Sequence, residues 1–166
     1  MSEFVTRFGS LKSYEKGHIE IINDNPKYYV FSNVFEVANG AKPYEKVAVA
    51  KNLEYAIEAI RAEGTSRWMA ASHDEFCIVM DGEVTVELVK LDHPEAVAPA
   101  SKEGTVAVEG EPQGRRMGTI TLRRGHQALL PKGAAYRFRS ATPSVLIQQT
   151  IVGDLTVQKW GEICYS

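Results

Sequence analysis

The segments EFCIVM, at residues 75–80, and EVTVELV, at residues 83–89, are two β-strand patterns separated only by Asp81-Gly82. An Asp-Gly pair between two apolar, alternating runs is the strongest short-range signal for a β-hairpin. The sequence therefore predicts that these two strands pair with each other across a tight turn.

More short strand patterns lie on both sides of this pair. They are predicted at residues 67–71, 117–123, 127–130, 134–139, 143–152 and 155–160. Short strands separated by turn residues are typical of a β-sandwich or a β-barrel. We therefore expect an all-β domain, a double-sheet β-barrel over residues 64–166.

Residues 1–63 are predicted to form an extension of this barrel with one or two helices. Ile19 and Ile21 alternate with polar neighbours, which predicts a strand at residues 17–24. Residues 26–39 combine a helix-start signal with β-rich residues, and we favour a helix there. From Asn52 to Gly64 the apolar residues recur at helical spacing, which predicts an amphipathic helix.

A long loop rich in Pro, Ala, Glu and Gly is predicted at residues 91–117. Such a length is uncommon in compact domains, so the loop is either a surface insertion or a partner-binding arm. The TVAV stretch at residues 105–108 could add a strand within this domain or along a neighbouring chain.

Composition indicates one soluble globular domain. The 166 residues are 44% hydrophobic and 24% charged, with a formal net charge of -2. Because no lysine and arginine run is present, nucleic acid and anionic membranes are not expected partners. No signal-peptide or membrane-spanning pattern is found, so we expect a cytoplasmic protein. Cys77 lies in an apolar run and is expected to pack in the core.

Two stretches, residues 64–82 and 125–136, resemble the paired motifs of the cupin superfamily in their spacing. Glu75 and Gly82 keep the expected seven-residue relation. Met69 and Ala71, however, stand where a cupin has its first two histidines, and Tyr136 stands where it has the third. The resemblance implies a cupin-like jelly roll with a degenerate site made of His73, Glu75 and Tyr136.

A divalent metal needs three or four converging donors, and Glu75 alone cannot hold one tightly. We therefore expect neither a metal nor catalytic residues in this chain. Two alternatives stay open. One is a stand-alone barrel that binds a small molecule through His73, Glu75, Tyr136 and Phe138. The other is a metal-binding cupin that uses His73, Glu75 and His126 in an unusual geometry.

Five longer strings resemble the small subunit of the hydroquinone 1,2-dioxygenases, bacterial enzymes of aromatic degradation. They are SNVFEVA (32–38), KPYEKVAVAKNLEY (42–55), RAEGTSRW (61–68), SHDEFCIVMDGEVTVEL (72–88) and GRRMGTITLRRGHQALLPKGAAYRF (114–138). The resemblance extends over most of the chain.

This resemblance implies a heterotetramer of two small and two large cupin-like subunits, with the non-haem Fe(II) in the large subunit. Hydroquinone and dioxygen would react at the partner's site, and the ring would open to 4-hydroxymuconic semialdehyde. The small subunit would support that reaction without ligating iron.

Three residues are candidates for the subunit interface or the edge of the partner's pocket. Trp68 is predicted to lie on the strand face opposite Met69 and Ala71, as an aromatic anchor would. Arg115 and Arg116 could contact an anion or the rim of the interface.

Overall fold

The computed structural model describes residues 8–25 and 31–164. Within these ranges it contains ten strands and three short helices. They are α1 (Val34–Gly40), β1 (Lys46–Asn52), β2 (Tyr55–Thr65), β3 (Met69–Ala71), β4 (Glu75–Asp81), β5 (Glu83–Leu91), α2 (Pro94–Val97), β6 (Thr105–Ala107), β7 (Gly114–Arg123), β8 (Gln127–Leu130), β9 (Ala134–Ile151), β10 (Thr156–Val157) and α3 (Trp160–Cys164).

The long strand β9 organises the fold. Its first half pairs with β3 on one edge and β5 on the other, and its second half pairs with β2 and β4 in the same way. We call the layer β8–β4–β9–β2–β1 the first sheet and the layer β7–β5–β9–β3–β6 the second sheet. The two layers share β9 and enclose a core that contains Ile60, Val79, Phe138 and Leu146. The predicted cupin-like double-sheet barrel is confirmed.

The predicted hairpin at Asp81-Gly82 is wrong, because β4 and β5 do not pair with each other. Both run antiparallel to β9, so together they form one long strand with a corner at Gly82. Gly82 has φ 77°, and a Cβ there would collide with the side chain of Ser144 in β9. Glycine is needed here because the backbone bends at a barrel corner and passes close to β9, and not because it forms a hairpin turn.

The predicted helix at residues 52–64 is also wrong. Asn52 pairs with Tyr55 across a two-residue turn, and β1 and β2 form an antiparallel hairpin. The side chains of Ala56, Glu58, Ile60 and Ala62 alternate inward at period two. Ala56 and Ile60 also fit helical spacing. Because the inward-facing position between them is the charged Glu58, the sequence does not show the apolar alternation that predicts a strand.

The N-terminal part contains one described helix and no strand at residues 17–24, where the expected strand is absent from the described chain. Of the segment 26–39, residues 26–30 lie outside the described residues. The described residues of this segment, 31–39, include most of α1. Asn33 caps the N-terminus of α1, because its side chain accepts a hydrogen bond from the Phe35 amide at 2.9 Å. Phe35 and Ala38 pack on Val145 of β9, so α1 covers part of the first sheet from outside.

The remaining strand predictions differ from the structure mainly in their bounds. The stretches 134–139 and 143–152 are one continuous strand, β9, and the last predicted strand is reduced to β10 followed by α3. Within the predicted loop at residues 91–117, the first three residues of the TVAV stretch form β6, which pairs with β3 of the same chain. Cys77 is buried in the barrel core, as predicted. The described chain includes no helix long and apolar enough to span a bilayer.

Candidate functional site

Glu75 is the centre of a polar cage inside the barrel. It is the first residue of β4, and only 1% of it is exposed. Tyr136 donates its hydroxyl to Oε2 of Glu75 at 2.7 Å. Oε1 accepts hydrogen bonds from the hydroxyls of Thr105, at 2.6 Å, and Thr150. Both carboxylate oxygens are therefore occupied by side-chain donors of this chain.

Gln148 extends the cage toward the middle of the barrel. Its Nε2 donates to the Tyr136 hydroxyl at 2.8 Å, and its Oε1 is buried without a hydrogen-bond partner among the described residues. Burial, together with the nearby Glu75 carboxylate, raises the pKa of Tyr136 well above its ordinary value. Tyr136 therefore stays protonated and serves as the donor that Glu75 requires.

His73 lies at the edge of the cage, and its Nε2 is 3.9 Å from Oε1 of Glu75. The same Nε2 accepts a hydrogen bond from the Ile151 amide at 3.3 Å and lies 3.2 Å from the Thr150 hydroxyl. Its Nδ1 is buried and has no partner in the described part of the chain. The structure thus brings His73, Glu75 and Tyr136 together, as the motif spacing predicts.

This cage does not fit an iron ion. Met69 and Ala71 are buried on β3 and provide no imidazole, and Tyr136 donates to Glu75 where a third ligand would be needed. His126 lies in the exposed turn before β8, where its Nδ1 accepts from the Arg123 amide at 3.2 Å. In residues 8–25 and 31–164 no three His, Cys, Asp or Glu side chains are grouped so that they could hold a metal.

A second polar cluster inside the barrel is a buried ion pair, which no sequence motif predicted. Nζ of Lys46 is 2.8 Å from Oε2 of Glu58, and both side chains are almost fully buried. The Thr156 hydroxyl donates to the other carboxylate oxygen at 2.7 Å. Cys77 lies in the same interior, where burial raises the pKa of its thiol to about 12 and keeps it unreactive. Besides its apolar core, the interior therefore contains two polar clusters, one around Glu75 and one around Glu58.

Trp68 lies outside the barrel, on the face of β3 opposite Met69, as predicted. It packs with the apolar residues of the loop at 91–117 and is 7% exposed. Its Nε1 donates to Glu111 at 3.0 Å, and the Arg137 guanidinium lies 4.4 Å from the ring centroid. Within this chain Trp68 is a packed side chain whose polar edge is held by a carboxylate.

A surface groove of about 270 Å³ runs beside Trp68. Arg116, Glu87 and Arg137 are among the residues that line it. Burial alone would raise the pKa of Glu87, but hydrogen bonds from Arg137 and Arg139 outweigh it and lower that pKa. Arg115 is exposed on β7 opposite Lys90. Arg116 and Trp68 therefore share one groove.

No family model and no curated protein sequence matches this chain. Solved structures do. The hydroquinone 1,2-dioxygenase of Sphingomonas sp. TTNP3, with 4-hydroxybenzoate bound, is 57% identical over 99% of both chains, with a TM-score of 0.94. Hydroquinone 1,2-dioxygenase PnpCD, in complex with Cd²⁺ and 4-hydroxybenzonitrile, is 52% identical over 99% of this chain and 98% of that chain, with a TM-score of 0.91.

A second kind of chain occurs in a structure of the same enzyme. A chain of PnpCD in complex with Fe³⁺ matches 82% of this chain at 12% identity and a TM-score of 0.62, but the match covers only 37% of that longer chain. At this identity the likeness concerns the fold alone. PnpCD is thus a two-subunit enzyme, in which one subunit resembles this chain throughout and the longer one contains a region of the same fold.

Proposed function

The chain belongs to the hydroquinone 1,2-dioxygenase family, and we propose that it is the small, non-metal-binding subunit of a heteromeric, Fe(II)-dependent enzyme of that family. Two small and two large subunits would assemble in the cytoplasm, with the iron in the large subunit. The reaction adds both atoms of dioxygen to hydroquinone and opens the ring to 4-hydroxymuconic semialdehyde. This chain would support that reaction and contribute no catalytic residue.

The hydrogen bonds of Glu75 are the main support for the proposal that the large subunit, and not this chain, binds the iron. An iron site for oxygen chemistry needs several protein ligands and open coordination positions. Here the only acidic side chain of the former motif is bonded through both oxygens to Tyr136, Thr105 and Thr150. These donors stabilise a buried carboxylate without a cation, so the cage replaces a metal site as the polar centre of the barrel.

The lengths of the related chains support the same division. This chain matches the shorter type over almost its full length, and the longer type has room for a similar barrel and for other elements. A reaction at the longer subunit is compatible with the loss of histidines from the shorter one. We propose that Trp68, Arg115 and Arg116 contribute to contacts with the large subunit or to the edge of its pocket.

The alternative, a stand-alone small-molecule-binding barrel, is less well supported. Four residues were expected to line its ligand cavity. Of these, His73, Glu75 and Tyr136 lie together in one hydrogen-bonded cage, and Phe138 is fully buried in the core. A ligand would have to displace these contacts in order to enter.

Co-expression tests the proposed function directly. The chain is produced with and without a candidate large subunit, a long cupin-like chain from the same source, and iron content, size and oxygen uptake with hydroquinone are measured. We expect an iron-bearing complex that consumes oxygen only with hydroquinone present, and a metal-free small chain when it is produced alone. Stoichiometric iron in the isolated chain, or a wild-type chain that does not bind the large one, would contradict the proposal.

A further inference from the structure

The outer surface of the first sheet has an uncovered apolar face. Two adjacent outward rows cross β2, β9, β4 and β8 in register. One row is Ile57, Gln149, Phe76 and Leu129, and the other is Ala59, Ile147, Ile78 and Gln127. None of these eight described positions has a charged side chain. We call Ile57, Phe76, Ile78, Leu129 and Ile147 the open apolar face.

The exposure of this face is not shared by the rest of the same sheet. The next outward position on β9, Val145, is fully buried beneath α1 and its side chain Phe35. Two rows beyond Val145, in the row of Gln149, Phe76 is 38% exposed and Leu129 is 57% exposed. Among the described residues, α1 thus covers the end of the sheet at Val145, and exposure rises from the row of Ala59, which is fully buried, to the row of Phe76 and Leu129.

The second sheet provides the contrast within the same barrel. Its outer face has Arg137 and Arg139, which are both ion-paired with Glu87, and the exposed Thr119 and Thr121 lie on the neighbouring strand. That surface is suited to water. The apolar character of the first sheet is therefore a local property, and not a general feature of the outer strands.

The dimensions suit the centre of a subunit interface. Four strands about 4.8 Å apart, with two outward positions per strand about 6.7 Å apart, span an area on the order of 250 Å². The largest apolar patch on a typical monomer is about this size or somewhat larger, and it is often functional. A stable interface takes about 800 Å² per partner, with an apolar core depleted of charge and a polar rim. The open apolar face fits such a core, with surrounding polar residues as its rim.

We propose that the open apolar face is where the chain docks onto the cupin-like barrel of the large subunit, an inference that rests on the proposed function. The related enzyme has two kinds of chain, and the longer one contains a region with the fold of this chain. Two barrels of one fold can pack sheet against sheet across a pseudo-twofold axis, as copies do in a symmetric dimer. Because a 2:2 assembly gives each small subunit more than one neighbour, this contact is compatible with a separate one near Trp68.

Lysine substitutions in the complete complex test the proposal. Phe76→Lys and Leu129→Lys place a charge in the open apolar face at positions that already reach solvent. Thr121→Lys, on the outer face of the second sheet, is the matched control. Each variant is first compared with the wild-type chain by circular dichroism and thermal unfolding. Its affinity for the large subunit is then measured by titration calorimetry.

We expect Phe76→Lys and Leu129→Lys to raise the Kd for the large subunit at least about 30-fold, the size of a hot-spot loss, and Thr121→Lys to change it less than threefold. Hydroxyl-radical labelling of the wild-type chain is a readout that needs no variant. Formation of the complex should protect Phe76 and Leu129 from labelling.

Three results would overturn the docking surface. The first is wild-type affinity in both apolar-face variants, and the second is undiminished labelling of Phe76 and Leu129 in the complex. The third is a small-subunit homodimer that these variants abolish while they still bind the large subunit normally. In each case an active wild-type complex leaves the proposed function intact. Failure of the wild-type chain to bind the large subunit would refute both proposals.

Discussion

Tyr136→Phe is the substitution that most directly tests the polar cage. It keeps the ring, which packs against Phe138 at a centroid distance of 5.4 Å, and removes only the hydroxyl. That hydroxyl donates to Glu75 and accepts from Gln148, so two buried groups lose a partner at once. A hydrogen bond to a charged group contributes about 1.5–3 kcal/mol, and leaving a buried amide unsatisfied costs about 1–3 kcal/mol.

We therefore expect Tyr136→Phe to lower the free energy of unfolding by about 3 kcal/mol. In a domain of this size that corresponds to a fall in Tm of roughly 6–12 °C. The assay is chemical and thermal unfolding of the purified chain, followed by circular dichroism at neutral pH. The same variant should leave the overall strand signal unchanged before the transition.

Tyr44→Phe is the control. The Tyr44 hydroxyl donates a hydrogen bond to the Gly64 carbonyl at 2.8 Å and interacts with the Ser140 backbone, so its partners are main-chain groups and not a buried carboxylate and a buried amide. Its loss should cost only about 1 kcal/mol. If Tyr136→Phe destabilises the chain no more than Tyr44→Phe does, Glu75 does not depend on this donor and the argument for the cage fails.

Three further predictions concern stability and can be measured by the same unfolding assay. Gly82→Ala should lower the free energy of unfolding by about 2–4 kcal/mol, because alanine would adopt a left-handed backbone conformation and collide with Ser144 at the barrel corner. The control Gly110→Ala, at φ 64° with open space around it, should cost about 1 kcal/mol. Equal losses would show that close packing at the corner does not require glycine. Lys46→Met should cost about 3–5 kcal/mol because it leaves Glu58 charged and buried, and adding Glu58→Leu should restore at least half; no recovery would mean that the two charges are not coupled. The lowered pKa of Glu87 gives stability that is present above the ordinary carboxyl pKa of about 4.3 and is lost as pH falls through the pKa of the folded state. The difference in unfolding free energy between the wild-type chain and Glu87→Gln should therefore shrink as pH falls below about 4.3. A constant difference between pH 7 and pH 3 would be inconsistent with the ion pairs of Glu87.

Local patterns determined much of the barrel. The strands from Glu75 to Leu91 and from Gln127 to Leu130 lie close to where alternation places them, because a half-buried strand must alternate regardless of its partner. The spacing of the two motifs also predicted that His73, Glu75 and Tyr136 come together. The absence of motif histidines at Met69 and Ala71 can be read from the sequence alone.

Which strands pair was decided by the tertiary structure. The Asp81-Gly82 sequence is compatible with a tight turn, and only the long β9 beside it makes the chain continue around a corner. The stretch after Asn52 fits helical spacing, but its backbone hydrogen bonds are made with β1, the strand before it, and with β9, which is distant in sequence. Propensity is a weak guide where such long-range pairing satisfies the backbone.

The sequence by itself therefore determined an all-β cupin-like domain, two motifs without their histidines and the resemblance to one enzyme family. Only the tertiary structure decided how Glu75 is held, because its donors Thr105, Tyr136 and Thr150 come from two other strands, β6 and β9. It also decided that α1 covers only one end of the first sheet. That open apolar face depends on how distant segments pack together, which no local pattern encodes.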